Sequence, residues 1–145
     1  MILYLDSSAL VKLYTRESGS DETTVLASRA DALGTALIAR AEVAAAFSKA
    51  VRLKALTREE AGAALEVFRR QWPDLLHVEV NEAVVAQADA LAWEHGLRGY
   101  DAVHLACGLQ WRQIVGEPVT LATFDRPLWD AAQRVGLEAW PDTLV

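Results

Sequence analysis

Cysteine is nearly absent from this chain of 145 residues: Cys107 stands alone. One thiol excludes an internal disulfide and a cysteine-rich zinc site. Cys107 falls within an apolar stretch and reads as a small core residue rather than a nucleophile. Long apolar runs are missing as well. The N-terminal run Ile2-Leu3-Tyr4-Leu5 ends in Asp6, and is too short for a signal peptide or a membrane span. A cytoplasmic location with no membrane partner is therefore the default expectation. Repeats, linkers and low-complexity stretches are absent too. With 52% apolar residues, the length describes one domain, residues 1–145, with a substantial core. Positive charge is also scarce, since 14 Lys and Arg face 20 Asp and Glu, a balance of −6. That balance argues against broad electrostatic attraction to nucleic acid. The bases are unevenly spread, however. Residues 40–70 hold seven of the 14: Arg40, Lys49, Arg52, Lys54, Arg58, Arg69 and Arg70. A shared basic face and separately solvated helix faces both fit that spacing.

What is present is an alternation of strand-like and helix-like segments. Residues 1–5 read as a buried strand, and Ser7 or Ser8 caps a short helix to about residue 14. A second helix, capped by Ser20 or Asp21, runs to about residue 30. A strand at 32–36 precedes a long Ala-rich helix at 37–53. Thr57-Arg58-Glu59-Glu60 is a capping box, and it opens a helix that Trp72-Pro73 ends. Residues 75–80 read as a strand. Asn81 caps a helix with Val84, Ala88, Leu91 and Ala92 on one face, ended near Gly96. The segment 100–115 is apolar nearly all round, which predicts a buried helix. Residues 119–123 form a strand, Pro127 opens a last helix, and 136–140 form an edge strand. The alternation predicts an α/β fold with a parallel sheet covered by helices on both sides.

Four acids stand at telling places. Asp6 ends the first strand, Asp125 follows the strand at 119–123, Asp101 opens a helix after Gly99, and Glu42 lies in the long Ala-rich helix. In open parallel sheets, ligands bind at the carboxyl ends of the strands. Carboxylates gathered there repel one another unless a cation holds them. Hard oxygen ligands suit Mg²⁺ or Mn²⁺, and an ion so held serves to cut or transfer phosphates. Each acid alone has a simpler reading. Asp6 and Asp125 fit caps at strand-to-helix turns. Asp101 is an anion that the helix macrodipole favours. Glu42 fits a surface acid, although it shares a face with Ile38, Ala45 and Ala46. Ser8 and Thr123 offer hydroxyls nearby. Arg98 is placed to contact a phosphate or to steady the carboxylates. His104 reads as a buried histidine rather than a ligand, and His77 and His95 lie outside the acid set. The five tryptophans read as core or interface anchors.

Taken in order, four pieces of the chain fit together. They are Asp6-Ser7-Ser8-Ala9-Leu10, Ala41-Glu42-Val43, Arg98-Gly99-Tyr100-Asp101-Ala102-Val103-His104-Leu105-Ala106 and Thr123-Phe124-Asp125. The set resembles the PIN-domain nucleases, and among them the VapC-type toxins of bacterial toxin–antitoxin pairs. The resemblance spans nearly the whole chain; Ser7 stands where the family often has Thr. It implies a three-layer α/β/α fold with a central, mainly parallel sheet. It also implies a Mg²⁺- or Mn²⁺-dependent endoribonuclease with an RNA substrate, an antitoxin partner and a homodimeric state. On that reading Asp6, Glu42, Asp101 and Asp125 are catalytic. Asp6 and Asp101 hold the metal, Glu42 and Asp125 act through water, and Ser8, Arg98 and Thr123 support them. The helices between 37 and 72 are candidates for the antitoxin surface. Two other readings compete. An aspartate-nucleophile phosphohydrolase wants a second acid two residues after Asp6, where this chain has Ser8. A non-catalytic metal- or RNA-binding module would leave the acids as caps or structural ligands.

Overall fold

A computed structural model describes residues 1–145. Five strands, β1 (Ile2–Leu5), β2 (Ala32–Ala36), β3 (Leu76–Val78), β4 (Val119–Ala122) and β5 (Glu138–Trp140), form one sheet in the order β3-β2-β1-β4-β5. Every pairing is parallel, so the expected mainly parallel sheet is wholly parallel. Seven helices connect and cover it: α1 (Ser7–Lys12), α2 (Ser20–Ser28), α3 (Ala39–Arg52), α4 (Arg58–Gln71), α5 (Glu82–His95), α6 (Gly99–Val115) and α7 (Arg126–Arg134). None is long and apolar enough to cross a membrane.

Alternation along β1 builds the three layers. Successive strand side chains point to opposite faces. Leu3 and Leu5 enter a core with Phe47, Phe68 and Trp72 under α1, α3 and α4. Tyr4 enters the other, with Leu105, Trp111, Leu121 and Leu128 under α5, α6 and α7. Gly34 of β2 leaves room for that second core, since a Cβ there would meet the Trp111 ring at 2.6 Å. Cys107 is buried in it, and burial pushes its thiol pKa up to about 12. A thiol so hard to ionise is a core residue and no nucleophile.

Several helix ends differ from the sequence expectation. Asp6 itself caps α1, accepting from the Ala9 amide at 2.9 Å, in place of Ser7 or Ser8. Asp and Ser are near-equal caps, so the run Asp6-Ser7-Ser8 leaves the choice to the sheet, which ends at Leu5. Gly19, with no side-chain cap, opens α2 at φ 89°, and a Cβ there would meet the Phe124 ring at 2.9 Å. α6 is buried all round at its centre, from His104 to Gly108, as expected, but not at its ends, where Tyr100 and Ile114 are 67% and 70% exposed. Trp72 and Trp111 are core anchors as expected, whereas Trp93 is 91% exposed.

The Thr57 capping box is present in full. Glu60 N donates to Thr57 Oγ1 at 3.1 Å, and Thr57 N donates to Glu60 Oε1 at 2.9 Å. Thr57→Ala is expected to cost about 1 kcal/mol of stability. Urea unfolding checks this: the midpoint falls while the slope stays the same.

Candidate active site

The strand order reverses direction at β1 and β4, since β1 leads outward to β2 and β4 leads outward to β5. A crevice opens beyond the carboxyl ends of the strands at such a switch point. The register pairs Leu5 with Ala122, so Asp6 and Thr123 emerge side by side. Glu42 projects from the first turn of α3 and Asp101 from the first turn of α6. All four acids line one cleft of about 660 Å³, together with Ser7, Ser8 and Arg98. The structure thus brings together every acid that the sequence singled out. It adds Asp89 of α5, which sequence reasoning missed. The available signal was weak: Asp89 is one turn beyond Val85, another lining residue, on a helix whose opposite face is core.

Asp6 is the most enclosed of the four, at 2% exposure. Its Oδ1 accepts from the Ala9 amide and from Ser8 Oγ at 2.7 Å, and its Oδ2 accepts from Thr123 Oγ1 at 2.6 Å. Burial raises its pKa, against the pull of His104 and of these hydrogen bonds. Both hydroxyls are locked in turn. Thr123 Oγ1 accepts from the Asp125 amide, and Ser8 Oγ accepts from the Phe124 amide, each at 3.0 Å. Ser8 and Thr123 therefore tie the end of β1 to the end of β4.

Asp125 caps α7 through the Leu128 amide at 3.1 Å, and its Oδ2 accepts from Arg98 Nη2 at 2.7 Å. Arg98 Nε also donates to Asp101 Oδ2 at 3.1 Å. One guanidinium so bridges two of the four acids, steadying carboxylates rather than standing free. Asp101 keeps a raised pKa all the same, first from burial and then from the charge of Asp125, both outweighing Arg98. The site remains short of positive charge.

Glu42 has a partner that the sequence did not announce. Its Oε1 meets His104 Nε2 at 2.6 Å, and His104 Nδ1 meets the Tyr4 hydroxyl at 2.7 Å. Burial works against a charged His104. The Glu42 hydrogen bond and the charges of Asp6, Glu42 and Asp101 outweigh it, so the imidazole pKa is raised. The one signal in the sequence is spacing, because His104 lies three residues after Asp101 and so on the same side of α6. Ser7 Oγ faces Glu42 Oε2 at 3.4 Å.

A family model for the PIN domain matches residues 3–133. The chain belongs to the PIN-domain family. Over 144 residues it is 38% identical to ribonuclease VapC45 of Mycobacterium tuberculosis (strain CDC 1551 / Oshkosh), spanning 99% of this chain and 97% of that protein. Several solved structures share its fold. The sarcin–ricin-loop-cleaving toxin VapC20 of Mycobacterium tuberculosis matches with a TM-score of 0.65 at 17% identity, covering 93% of this chain and 95% of that one. A toxin–antitoxin complex from Klebsiella pneumoniae matches at 0.59 and 18% identity, covering 86% and 87%.

The donor set of this PIN domain can be weighed against the divalent ion expected from its sequence. The cleft offers carboxylate and hydroxyl oxygens, the chemistry that Mg²⁺ and Mn²⁺ prefer. No three of its acids or histidines are grouped as a ready-made cage. Mg²⁺ does not demand one, since it keeps several waters and is held through one or two carboxylates. Among the four acids, two oxygens are the least committed: Asp101 Oδ1 accepts no hydrogen bond, and Glu42 Oε2 has only the long contact from Ser7. A hydrated ion fits this PIN-domain cleft, with Arg98 as its competitor for Asp101 and Asp125.

Proposed function

We propose that the chain is a divalent-metal-dependent endoribonuclease that acts as the toxin of a toxin–antitoxin pair, as a homodimer. The observation that carries the reading is the convergence of Asp6, Glu42, Asp101 and Asp125 on one cleft at the switch point of the sheet. Identity of 38% with a ribonuclease over 99% of the chain supports it. Asp6 and Asp101 would hold the ion, with Glu42 and Asp125 acting through water. The bound ion would polarise the scissile phosphate and lower the pKa of a water. Glu42 Oε2, facing the cleft, is the oxygen left to orient that water or take its proton. Ser8 and Thr123 keep Asp6 in place, and Arg98 balances charge between Asp101 and Asp125. An aspartate-nucleophile mechanism fits poorly, because Ser8 stands where a second acid is needed.

For the antitoxin, α3 and α4 offer two grooves of about 300 and 460 Å³ that share Ala44 and Leu65. Arg52 and Arg58 flank one, Arg40 and Arg69 the other. An apolar floor between arginines suits an amphipathic segment with acidic edges. A basic side chain of that partner placed among the carboxylates would compete with metal.

The test uses purified chain free of antitoxin, with single-stranded and fully paired RNA. Cleavage of the single-stranded RNA in Mg²⁺ or Mn²⁺ is expected, and EDTA should stop it. Intact RNA under all conditions would remove the enzymatic reading.

A further inference from the structure

Tyr4 and His104 bury polar atoms at 0% and 1% exposure, in the core beneath α5 and α6. A hydroxyl and an imidazole are costly to bury unless their polar atoms are hydrogen-bonded. Here they form a line. Tyr4 Oη meets His104 Nδ1 at 2.7 Å, and His104 Nε2 meets Glu42 Oε1 at 2.6 Å. The Tyr4 ring stands edge-on to the imidazole, with centroids 5.8 Å apart and planes at 71°. Turning the imidazole over would break both hydrogen bonds at once.

The chemistry of each link fixes its direction. A carboxylate only accepts, so Nε2 carries a proton toward Glu42. A hydroxyl both donates and accepts, so Tyr4 donates to Nδ1 of a neutral ring and accepts from a charged one. Phenylalanine at position 4 would do neither. The line starts in the central strand and ends on a carboxylate at the cleft wall. It turns Oε1 of Glu42 into the protein and leaves Oε2 toward Ser7 and the cleft. A histidine buried only for packing would also pair both nitrogens; what sets this one apart is that its partner Glu42 is a carboxylate of the cleft wall.

We infer that His104, steadied by Tyr4, is a positioning residue that holds Glu42 so that a single oxygen, Oε2, serves the cleft. This deepens the functional reading above and rests on Glu42 belonging to the site. Groups behind a ligating carboxylate orient it, and their loss commonly weakens metal binding or activity about 10–100-fold.

The experiment compares the full chain with His104→Gln, Tyr4→Phe, Glu42→Gln and the double variant Glu42→Gln/His104→Gln. Mn²⁺ binding is titrated without RNA, and kcat and KM are measured with it. His104→Gln is expected to weaken Mn²⁺ binding about 10–100-fold and to lower kcat with KM unchanged. Tyr4→Phe should move both in the same direction by less. The double variant should be no worse than Glu42→Gln, because His104 acts only through Glu42. Losses that multiply in the double variant overturn the inference, as does wild-type Mn²⁺ binding in both His104→Gln and Tyr4→Phe. Should His104→Gln fail to fold, proton NMR of the wild type decides. A protected Nε2–H that shifts in Glu42→Gln supports the inference, and its absence overturns it. That measurement needs no RNA or metal. A wild type that neither cuts RNA nor binds Mn²⁺ is therefore a failure of the functional reading alone.

Discussion

Asp6→Asn should leave a folded protein that has lost nearly all RNA cleavage. The substitution keeps the side-chain shape and removes one negative charge. The fold tolerates it for a specific reason. The Asn oxygen can still accept from the Ala9 amide and Ser8 Oγ, so the cap of α1 survives. The amide nitrogen then takes the place of Oδ2, against Thr123 Oγ1. That hydroxyl already accepts from the Asp125 amide; its second lone pair can accept the new donor, and its own proton can turn to Ser8 Oγ, 3.5 Å away. Relief of the burial that raises the Asp6 pKa adds a small gain, because a neutral amide is cheaper to bury than a carboxylate. Activity has no such compensation. Asp6 would hold the cation whose charge faces the reacting phosphate; loss of one preorganised electrostatic group commonly costs about 10²–10³ in rate, and a fall of roughly that size in kcat is expected. The check is kcat at saturating Mg²⁺ or Mn²⁺ beside a melting curve. Full activity in a folded Asp6→Asn would remove Asp6 from the site.

The parts of this site that were legible in the sequence are those fixed by local rules. An acid directly after an apolar run reads as the end of a strand, and Asp6 and Asp125 were found that way. The parallel sheet followed from alternation. Its switch point then placed those two ends together, through a register in which Leu5 pairs with Ala122. Asp101 and Glu42 were legible only as members of an ordered set, because a helix start and an Ala-rich face each have ordinary explanations. The hydrogen-bond partners were not legible. His104 lies 62 residues from Glu42 and 100 from Tyr4, and no local pattern encodes such pairs. Arg98 offered two roles in sequence, phosphate contact and carboxylate support. Only the fold shows it reaching Asp125 across 27 residues. The burial expected for α6 failed at its ends for a related reason. Apolar content predicts how much of a helix is covered, not where its cover stops. Tyr100 lies beyond that cover, at the mouth of the cleft.

Excess Mg²⁺ or Mn²⁺ should raise the melting temperature of the wild type, and Arg98→Met should enlarge that rise. An ion that binds only the folded chain stabilises it by about 2.7 kcal/mol at a hundred times its dissociation constant. The site has the deficit that such an ion would fill, since Asp101 keeps a raised pKa with Arg98 already beside it. Asp101→Asn has two opposed effects in EDTA. It relieves repulsion with Asp125 and Asp6, and it loses the Arg98 pair and a favourable charge in the first turn of α6. Burial and repulsion outweigh the Arg98 pair, so its metal-free melting point should rise, by less than relief of repulsion alone would give, while its metal-induced shift shrinks. Arg98→Met acts the other way. It leaves Asp101 and Asp125 facing one another without a cation, which lowers the metal-free melting point. It also frees both carboxylates, so the same metal concentration should produce a larger shift. Six melting curves, three proteins each in EDTA and in excess metal, decide the matter. Equal gains in wild type and Asp101→Asn would exclude Asp101 from an ion site. A lost shift in Arg98→Met would mean that Arg98 organises the site for the ion instead of competing with it.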